Sequence, residues 1–312
     1  AEGTRATGLT SFDTNGFSLG ADSNANASGG SKYASWNWLA GGSAPTQTYT
    51  VKVVSDSGNK YRFDDFGTSA VTLDLQEGGT YTFDVSDSSM NSHPFVIGTA
   101  ANGTEYSTGV TYKLDGVTKT YSQYTSGFSA ATSRQLIITV ANSAPALYYW
   151  CSVHSGMGGA INTNSLHGSS NFSGSIQSTV SVNATAGFSI VKWTGNAVTG
   201  ATIGHGLGVK PAAIILKNLG PDTSSWPIYH HKLGATKYLG LNSSSAASTS
   251  NTRWDNEEPG TTYFKTGSSG DVKGDSSGEP FIAYCFAQVN GFSKFGLYQG
   301  NNNASGSFIY TG

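Results

Sequence analysis

The sequence predicts an all-β protein assembled from more than one sandwich. Three observations carry that prediction. Short runs alternate between apolar and polar residues, as in Thr48-Tyr49-Thr50-Val51-Lys52-Val53 and Val71-Thr72-Leu73-Asp74-Leu75, and no stretch repeats with a helical period. Turn-forming clusters separate the runs at strand-like intervals, as in Glu77-Gly78-Gly79-Thr80 and Ala141-Asn142-Ser143-Ala144-Pro145. A length of 312 residues is more than one hydrophobic core usually serves, so two or three domains are expected.

Composition narrows the class. Charged residues make up 12%, where soluble domains carry about 25%. Aromatic residues also make up 12% and recur in the strand-like runs, which sets the chain apart from disordered, Gly- and Ser-rich sequences. A net charge of −2 offers no electrostatic footprint for nucleic acid or an anionic membrane. No apolar run is long enough to span a bilayer. Ala1-Glu2-Gly3-Thr4 does not open a signal peptide, so we expect a processed chain, a fragment, or release by another route such as lysis. Two cysteines, Cys151 and Cys285, are too few for a disulfide scaffold.

Residues 1–42 read as the closing part of a β-sandwich repeat. Phe17-Ser18-Leu19-Gly20, a polar loop, and the strand Tyr33-Ala34-Ser35-Trp36-Asn37-Trp38 are echoed later. The echo is Phe264-Lys265-Thr266-Gly267, the loop 274–278, and Phe281 to Phe286, with Tyr284 and Phe286 in the places of Trp36 and Trp38. After a linker at Gly41-Gly42-Ser43-Ala44-Pro45, residues 46–164 form a second unit. Its strands include Tyr81-Thr82-Phe83-Asp84-Val85, Leu136-Ile137-Ile138-Thr139-Val140 and the run ending in Cys151. Residues 165–177 are Ser-, Asn- and Gly-rich and read as a linker. Residues 178–298 read as a fuller copy of the first repeat, with Ala212-Ala213-Ile214-Ile215-Leu216-Lys217 as a buried strand. Residues 299–312 begin a further strand or repeat. We therefore expect either a piece of a longer fibre or subunits that complete one another by strand addition.

One stretch gathers metal-ligand chemistry. Tyr148-Tyr149-Trp150-Cys151-Ser152-Val153-His154-Ser155-Gly156-Met157-Gly158-Gly159 ends an apolar strand in a cysteine, then places His154 and Met157 at three-residue steps. His93, in Ser92-His93-Pro94-Phe95, can supply the missing imidazole from a neighbouring strand, with Pro94 fixing the backbone beside it. A thiolate, two imidazoles and a weak thioether are the ligands of an electron-transfer copper centre. The same residues also fit a site that keeps its ligands without metal, or a Cys151 that is only a small buried hydrophobe. Met90 precedes the histidine and reads as packing.

The pattern resembles the cupredoxins, and its C-x2-H-x2-M spacing looks like the short ligand loop of the amicyanin type. The resemblance implies a cupredoxin-like Greek-key barrel or sandwich, with His93, Cys151, His154 and Met157 around a type 1 copper. A second resemblance is carried by Ala186-Gly187-Phe188-Ser189-Ile190-Val191, Gly204-His205-Gly206-Leu207-Gly208, Gly234-Ala235-Thr236-Lys237-Tyr238-Leu239 and Gly291-Phe292-Ser293-Lys294-Phe295-Gly296. Together these resemble a repeated β-domain of marine, cyanophage-like virion structural proteins, in which cupredoxin-like modules also occur. That implies jelly-roll or lectin-like sandwiches flanking the cupredoxin-like unit. It also implies a location on a virion surface or outside the cell, and a non-enzymatic tail fibre, adhesin or decoration subunit. Implied partners are further copies, other virion proteins and a host-surface glycan. The alternatives are a secreted electron-transfer copper protein with adhesive domains, and a bacterial carbohydrate-binding surface protein.

Other chemistry is thinner. His230 and His231 are adjacent, so in a strand they point to opposite faces. His205 sits between glycines and reads as a turn residue. Asp255-Asn256-Glu257-Glu258 could hold calcium but reads better as a solvated loop. Trp193, Trp226 and Trp254 could stack on sugars, though core burial is the ordinary reading for at least two. No nucleophile elbow, phosphate loop or catalytic carboxylate pair is present.

Overall fold

A computed structural model describes residues 7–13, 16–29, 32–33, 35, 37, 44–164, 168–220, 224–302, 304–306 and 308–309. Ala34, Trp36 and Trp38 of the expected N-terminal strand, residues 165–167 of the linker stretch, and Tyr310–Gly312 lie outside the described residues.

The chain is all-β. An N-terminal hairpin pairs β1 (Leu9–Asp13) with β2 (Gly16–Leu19), and the short helix α1 (Ser23–Asn26) follows. The first large unit runs through β3 (Thr46–Ser55), β4 (Asn59–Phe63), β5 (Leu73–Gln76), β6 (Thr80–Asp84), β7 (Phe95–Gly98), β8 (Val110–Leu114) and β9 (Val117–Lys119). It continues through α2 (Tyr121–Gly127), β10 (Arg134–Thr139), β11 (Leu147–Cys151) and β12 (Gly159–Asn164). These strands make two sheets, ordered β4-β3-β6-β10-β8-β9 and β5-β12-β11-β7. Two pairings are parallel, β3 with β6 and β5 with β12. The sheets keep separate edges and do not close into a barrel, so the unit is a sandwich.

Alternation builds the core between the sheets. Along β6, Tyr81 and Phe83 turn inward while Thr80, Thr82 and Asp84 stay partly exposed. Tyr49, Phe63, Phe83, Phe95 and Tyr149 meet there in edge-on, tilted and stacked contacts 4.9–6.3 Å apart. Each such ring, fully buried, contributes about 1.5–3 kcal/mol relative to exposure.

The second large unit contains β13 (Ser169–Asn171), β14 (Ser178–Asn183), β15 (Phe188–Thr194), β16 (Thr202–Gly204), β17 (Ala213–Asn218), β18 (Pro227–His230) and β19 (Lys237–Gly240). It is completed by β20 (Ser248–Thr249), β21 (Tyr263–Lys265), α3 (Gly270–Lys273) and β22 (Pro280–Phe286). Eight strands form one antiparallel sheet, β13-β14-β15-β22-β17-β18-β19-β20, and β16 pairs with β21 beside it. Trp193 stacks on Phe281 and meets Phe264 edge-on in this core. Cys285 is buried in β22, as its apolar run suggested, and burial pushes its thiol up to about 12. Both cysteines are free.

Within the stretch that composition marks as a linker, Ser169–Asn171 is a strand paired with β14, and Phe172 is buried in the first core. Polar residues do the joining. The Tyr49 hydroxyl donates to the Ser170 carbonyl at 2.8 Å, the Asp74 amide donates to Ser170 Oγ at 2.8 Å, and the Thr179 hydroxyl donates to Asp74 at 2.6 Å. Serine looks like a loop residue in sequence, yet here Ser170 satisfies polar groups of the first unit across the junction.

Candidate metal centre

Register brings the ligand residues together. Cys151 ends β11 directly opposite Phe95, the first residue of β7. His93 lies two residues before Phe95, so it reaches the same end of the sheet as the cysteine. The Ser152 amide donates to the Pro94 carbonyl at 3.1 Å and holds the two exits side by side. The loop after Cys151 then turns back over them.

Cys151 Sγ stands 3.6 Å from His154 Nδ1 and 3.9 Å from His93 Nδ1. The imidazole centroids are 4.6 Å apart, and one ligand atom from each of the three residues lies within 4.8 Å of the others. Donors at metal–sulfur and metal–nitrogen lengths of about 2.3 and about 2.05 Å, spread by tetrahedral to trigonal angles, stand about 3.6–3.8 Å apart. The two sulfur–nitrogen separations, 3.6 and 3.9 Å, lie at and just above that span, so the three donors stand close to the spacing one ion needs. Met157 ends the loop, with its side chain 1% exposed and packed in the first core.

The environment is graded. Cys151 is 2% exposed, His93 is half-buried and His154 faces solvent. Desolvation, with His154 alongside, lowers the His93 pKa below the ordinary histidine value. That favours the neutral imidazole, which is the ligating form.

The loop is held by contacts that carry no ligand pattern in the sequence. The Tyr61 amide donates to the Met157 carbonyl at 3.0 Å, and the Tyr61 hydroxyl donates to the His93 carbonyl at 3.0 Å. Burial, with Cys151 alongside, raises the Tyr61 phenol pKa and keeps it a donor. Lys60 Nζ donates to the Gly156 carbonyl. Gly158 is required for a different reason: a Cβ there would lie 1.7 Å from the Tyr149 carbonyl oxygen. On the His93 side, the buried Arg134 donates to the Ser86 and Asp87 carbonyls at 3.0 and 3.2 Å, and Asp87 caps the 3-10 turn Ser88–Met90. The His93 amide donates to the Met90 carbonyl at 2.8 Å, while the Met90 side chain is buried as packing.

Other residues singled out in the sequence do different work. His205 is buried, with Nδ1 accepting from the Leu207 amide at 3.2 Å. His231 Nε2 lies 2.8 Å from the Phe295 carbonyl, and His230 Nδ1 accepts from the Lys232 amide. Lys265 closes the acidic loop by bridging Asp255 and Glu257 at 2.9 Å each, and Glu258 accepts from the Tyr229 hydroxyl and the Ala235 amide. Trp193 and Trp254 are buried, whereas Trp226 is half-buried beneath Lys217. Among the described residues, His93, Cys151 and His154 form the one group of three or more His, Cys, Asp or Glu side chains placed to hold an ion.

Fold and site thus define a β-sandwich protein with a His2Cys cluster at one sheet end. The chain belongs to the family described as Domain of unknown function (DUF7483), which matches residues 122–312, more than half of its length. The match takes in Cys151, His154 and Met157, while His93 precedes it. No curated protein matches the chain, and no solved structure does.

Proposed function

We propose that the first sandwich is a mononuclear copper-binding module within a non-enzymatic virion-surface structural protein. The single observation that carries the metal reading is the convergence of His93 Nδ1, Cys151 Sγ and His154 Nδ1 at spacings that suit one ion. Copper suits this donor set better than structural zinc. Zinc sites close with four Cys or His ligands, whereas here the fourth candidate is the weak thioether of Met157.

Copper, when bound, supplies one-electron redox chemistry. The chain's own residues do the rest. Cys151 and Met157 sit in apolar surroundings that exclude water, and His154 presents an imidazole to solvent. Tyr61 and Lys60 fix the loop, so little ordering remains for binding to impose. The exposure of His154, and of Val153 beside it at 65%, favours a second reading in which the same site exchanges electrons with a partner.

The virion-surface reading rests on the repeated β-unit and its resemblance to phage structural domains. On this reading the partners are further copies, other virion proteins and a host-surface glycan. Copper titration of the purified chain, followed by visible spectroscopy and metal analysis, tests the site. Saturation at one equivalent with strong thiolate-to-copper absorption, lost in Cys151→Ser, is the expected result. No bound metal and no colour would overturn it. Cosedimentation of the chain with density-banded particles tests the location, and recovery only in the soluble fraction would refute it.

A further inference from the structure

The eight-stranded sheet of the second unit is apolar on both faces. Its inner face forms the second core, where Val191, Ala283, Cys285, Ile214 and Tyr229 are buried. Side chains alternate along a strand, so the residues between these point the other way. Register then sets the outward residues in one line across six strands. Ser181 stands opposite Ile190, Ile190 opposite Tyr284, Tyr284 opposite Ile215, Ile215 opposite Ile228, and Ile228 opposite Leu239. All six are half-buried.

An antiparallel sheet with one face in water reads apolar inward and polar outward. Here the central strands β15, β22, β17 and β18 carry Ile190, Tyr284, Ile215 and Ile228 at outward positions instead. Single apolar side chains at a surface are ordinary, but a continuous line of five marks a contact. Among the described residues, the chain's own cover lies at one margin of this face. There Phe295 meets Phe286 at 5.9 Å, and the Phe295 carbonyl lies 2.8 Å from His231 Nε2. Leu297 and Tyr298, which follow, are 60% and 72% exposed.

Charge and size narrow the occupant. The outward positions of β14, β15, β22, β17, β18 and β19 include Lys192, Lys217 and Lys237 and no carboxylate. The Lys217 ammonium is engaged within its own chain, donating to the Ser224 carbonyl at 2.7 Å and lying over the Trp226 ring. Six strands about 4.8 Å apart and about six residues long make a face of ~29 by ~20 Å, or ~600 Å². Two such faces bury about 1,200 Å² in all, the lower limit for a specific and stable protein interface. A second sheet of the same width covers this face from edge to edge, whereas a small ligand would cover part of it.

We propose that this face is the contact between two copies of the chain, sheet stacked on sheet about a two-fold axis that runs along the strands between β22 and β17. Stacked sheets lie about 10 Å apart with their strands within about 30°. The axis sets Tyr284 on Ile215 of the second copy and Ile190 on its Ile228. One row away, Lys192 meets the Trp226 ring of the second copy and Lys217 meets its Ile282. Lys237 meets Asn183. The face is therefore complementary to itself: apolar residues meet apolar residues, and no lysine faces a lysine. A two-fold contact of this kind uses the same patch twice and closes at two copies. The inference takes from the proposed function only the expectation of further copies. It needs neither metal at the His2Cys cluster nor a place on a particle.

The test is sedimentation of the full-length chain across a wide concentration range, joined to hydroxyl-radical footprinting of the same samples. The expected mass doubles as concentration rises and goes no higher. Tyr284, Ile215 and Leu239 are expected to become protected in the dimer, while Val117 and Val153, exposed on the first unit, keep their reactivity. A chelator is expected to leave the dimer unchanged, which separates this result from the metal reading. Ile215→Asp and Ile228→Asp are each expected to remain monomeric where the parent pairs. Should either variant fail to fold, the footprint of the unmodified chain decides alone. A chain that stays monomeric at every accessible concentration would overturn the proposal. So would a dimer protected elsewhere, or a mass that climbs past two copies. Protection of the row only on adding phosphatidylserine vesicles, with the chain otherwise monomeric, would also overturn it and give the face to a lipid surface.

Discussion

Cys151 faces Phe95 across the β11–β7 register, and that pairing brings the Cys151 sulfur within 3.9 Å of His93 Nδ1 although 58 residues separate them in sequence. The relationship sets the site's geometry before any ion is considered, and it sets what substitutions should do.

Replacing either imidazole should cost binding without costing the fold. His154 is exposed in a loop, so His154→Ala should leave the thermal melt within about 0.5 kcal/mol of the parent, as surface changes usually do. Copper affinity, measured by competition with a chromophoric chelator, should fall by at least about tenfold, the size of effect that even outer-shell changes produce. Unchanged affinity would remove His154 from the ligand set.

Gly158→Ala should fail through packing. Its Cβ would meet the Tyr149 carbonyl oxygen, which is backbone and cannot move aside. Overpacking of this kind costs about 1–3 kcal/mol, readable as a lower urea midpoint with unchanged slope. Gly156→Ala is the useful contrast, since its strain comes from a positive φ of 76° and not from a clash.

Tyr61→Phe isolates the hydroxyl. The ring contacts with Phe95 and Tyr149 remain, while the bond to the His93 carbonyl is lost. The carbonyl is left short of a donor, at a cost of about 1–3 kcal/mol. In the metal-free protein, Cys151 should label faster with a thiol reagent as the site loosens. An unchanged labelling rate would mean that Tyr61 acts through its ring alone.

Phe172→Ala tests the junction. Phe172 stacks 5.9 Å from Phe63 and is buried in the first core, although it lies beyond the last strand of that unit. Truncation of a buried phenylalanine costs about 3–5 kcal/mol. If Phe172 ties the units together, calorimetry should show the first sandwich melting earlier and apart from the second. A single unshifted transition would count against the tie.

His205 should make the second unit acid-sensitive. Burial lowers its pKa, and its Nδ1 must stay unprotonated to accept from the Leu207 amide. The folded state therefore binds this proton less readily than the unfolded chain. Its contribution to stability is complete above the unfolded pKa of about 6.5 and is lost as pH falls through the lowered folded value. His205→Gln should flatten that part of the stability–pH curve, measured by denaturation from pH 7 downward.

The sequence by itself determined the local chemistry. Alternation marked β3, β5 and β6 because side-chain direction in a strand depends only on neighbouring residues, and the apolar run 136–140 marked β10. The spacing of Cys151, His154 and Met157 was legible for the same reason, since one short loop holds all three. Tertiary structure alone decided what depends on non-local pairing. It paired β3 with β6 and β5 with β12 in parallel and left the sheets open as a sandwich. It recruited Tyr61, Lys60 and Arg134 to hold the ligand segments, and it drew Phe172 out of a polar stretch into the first core. Contacts of that kind depend on which strands meet and in what register, and no window of neighbouring residues contains that information.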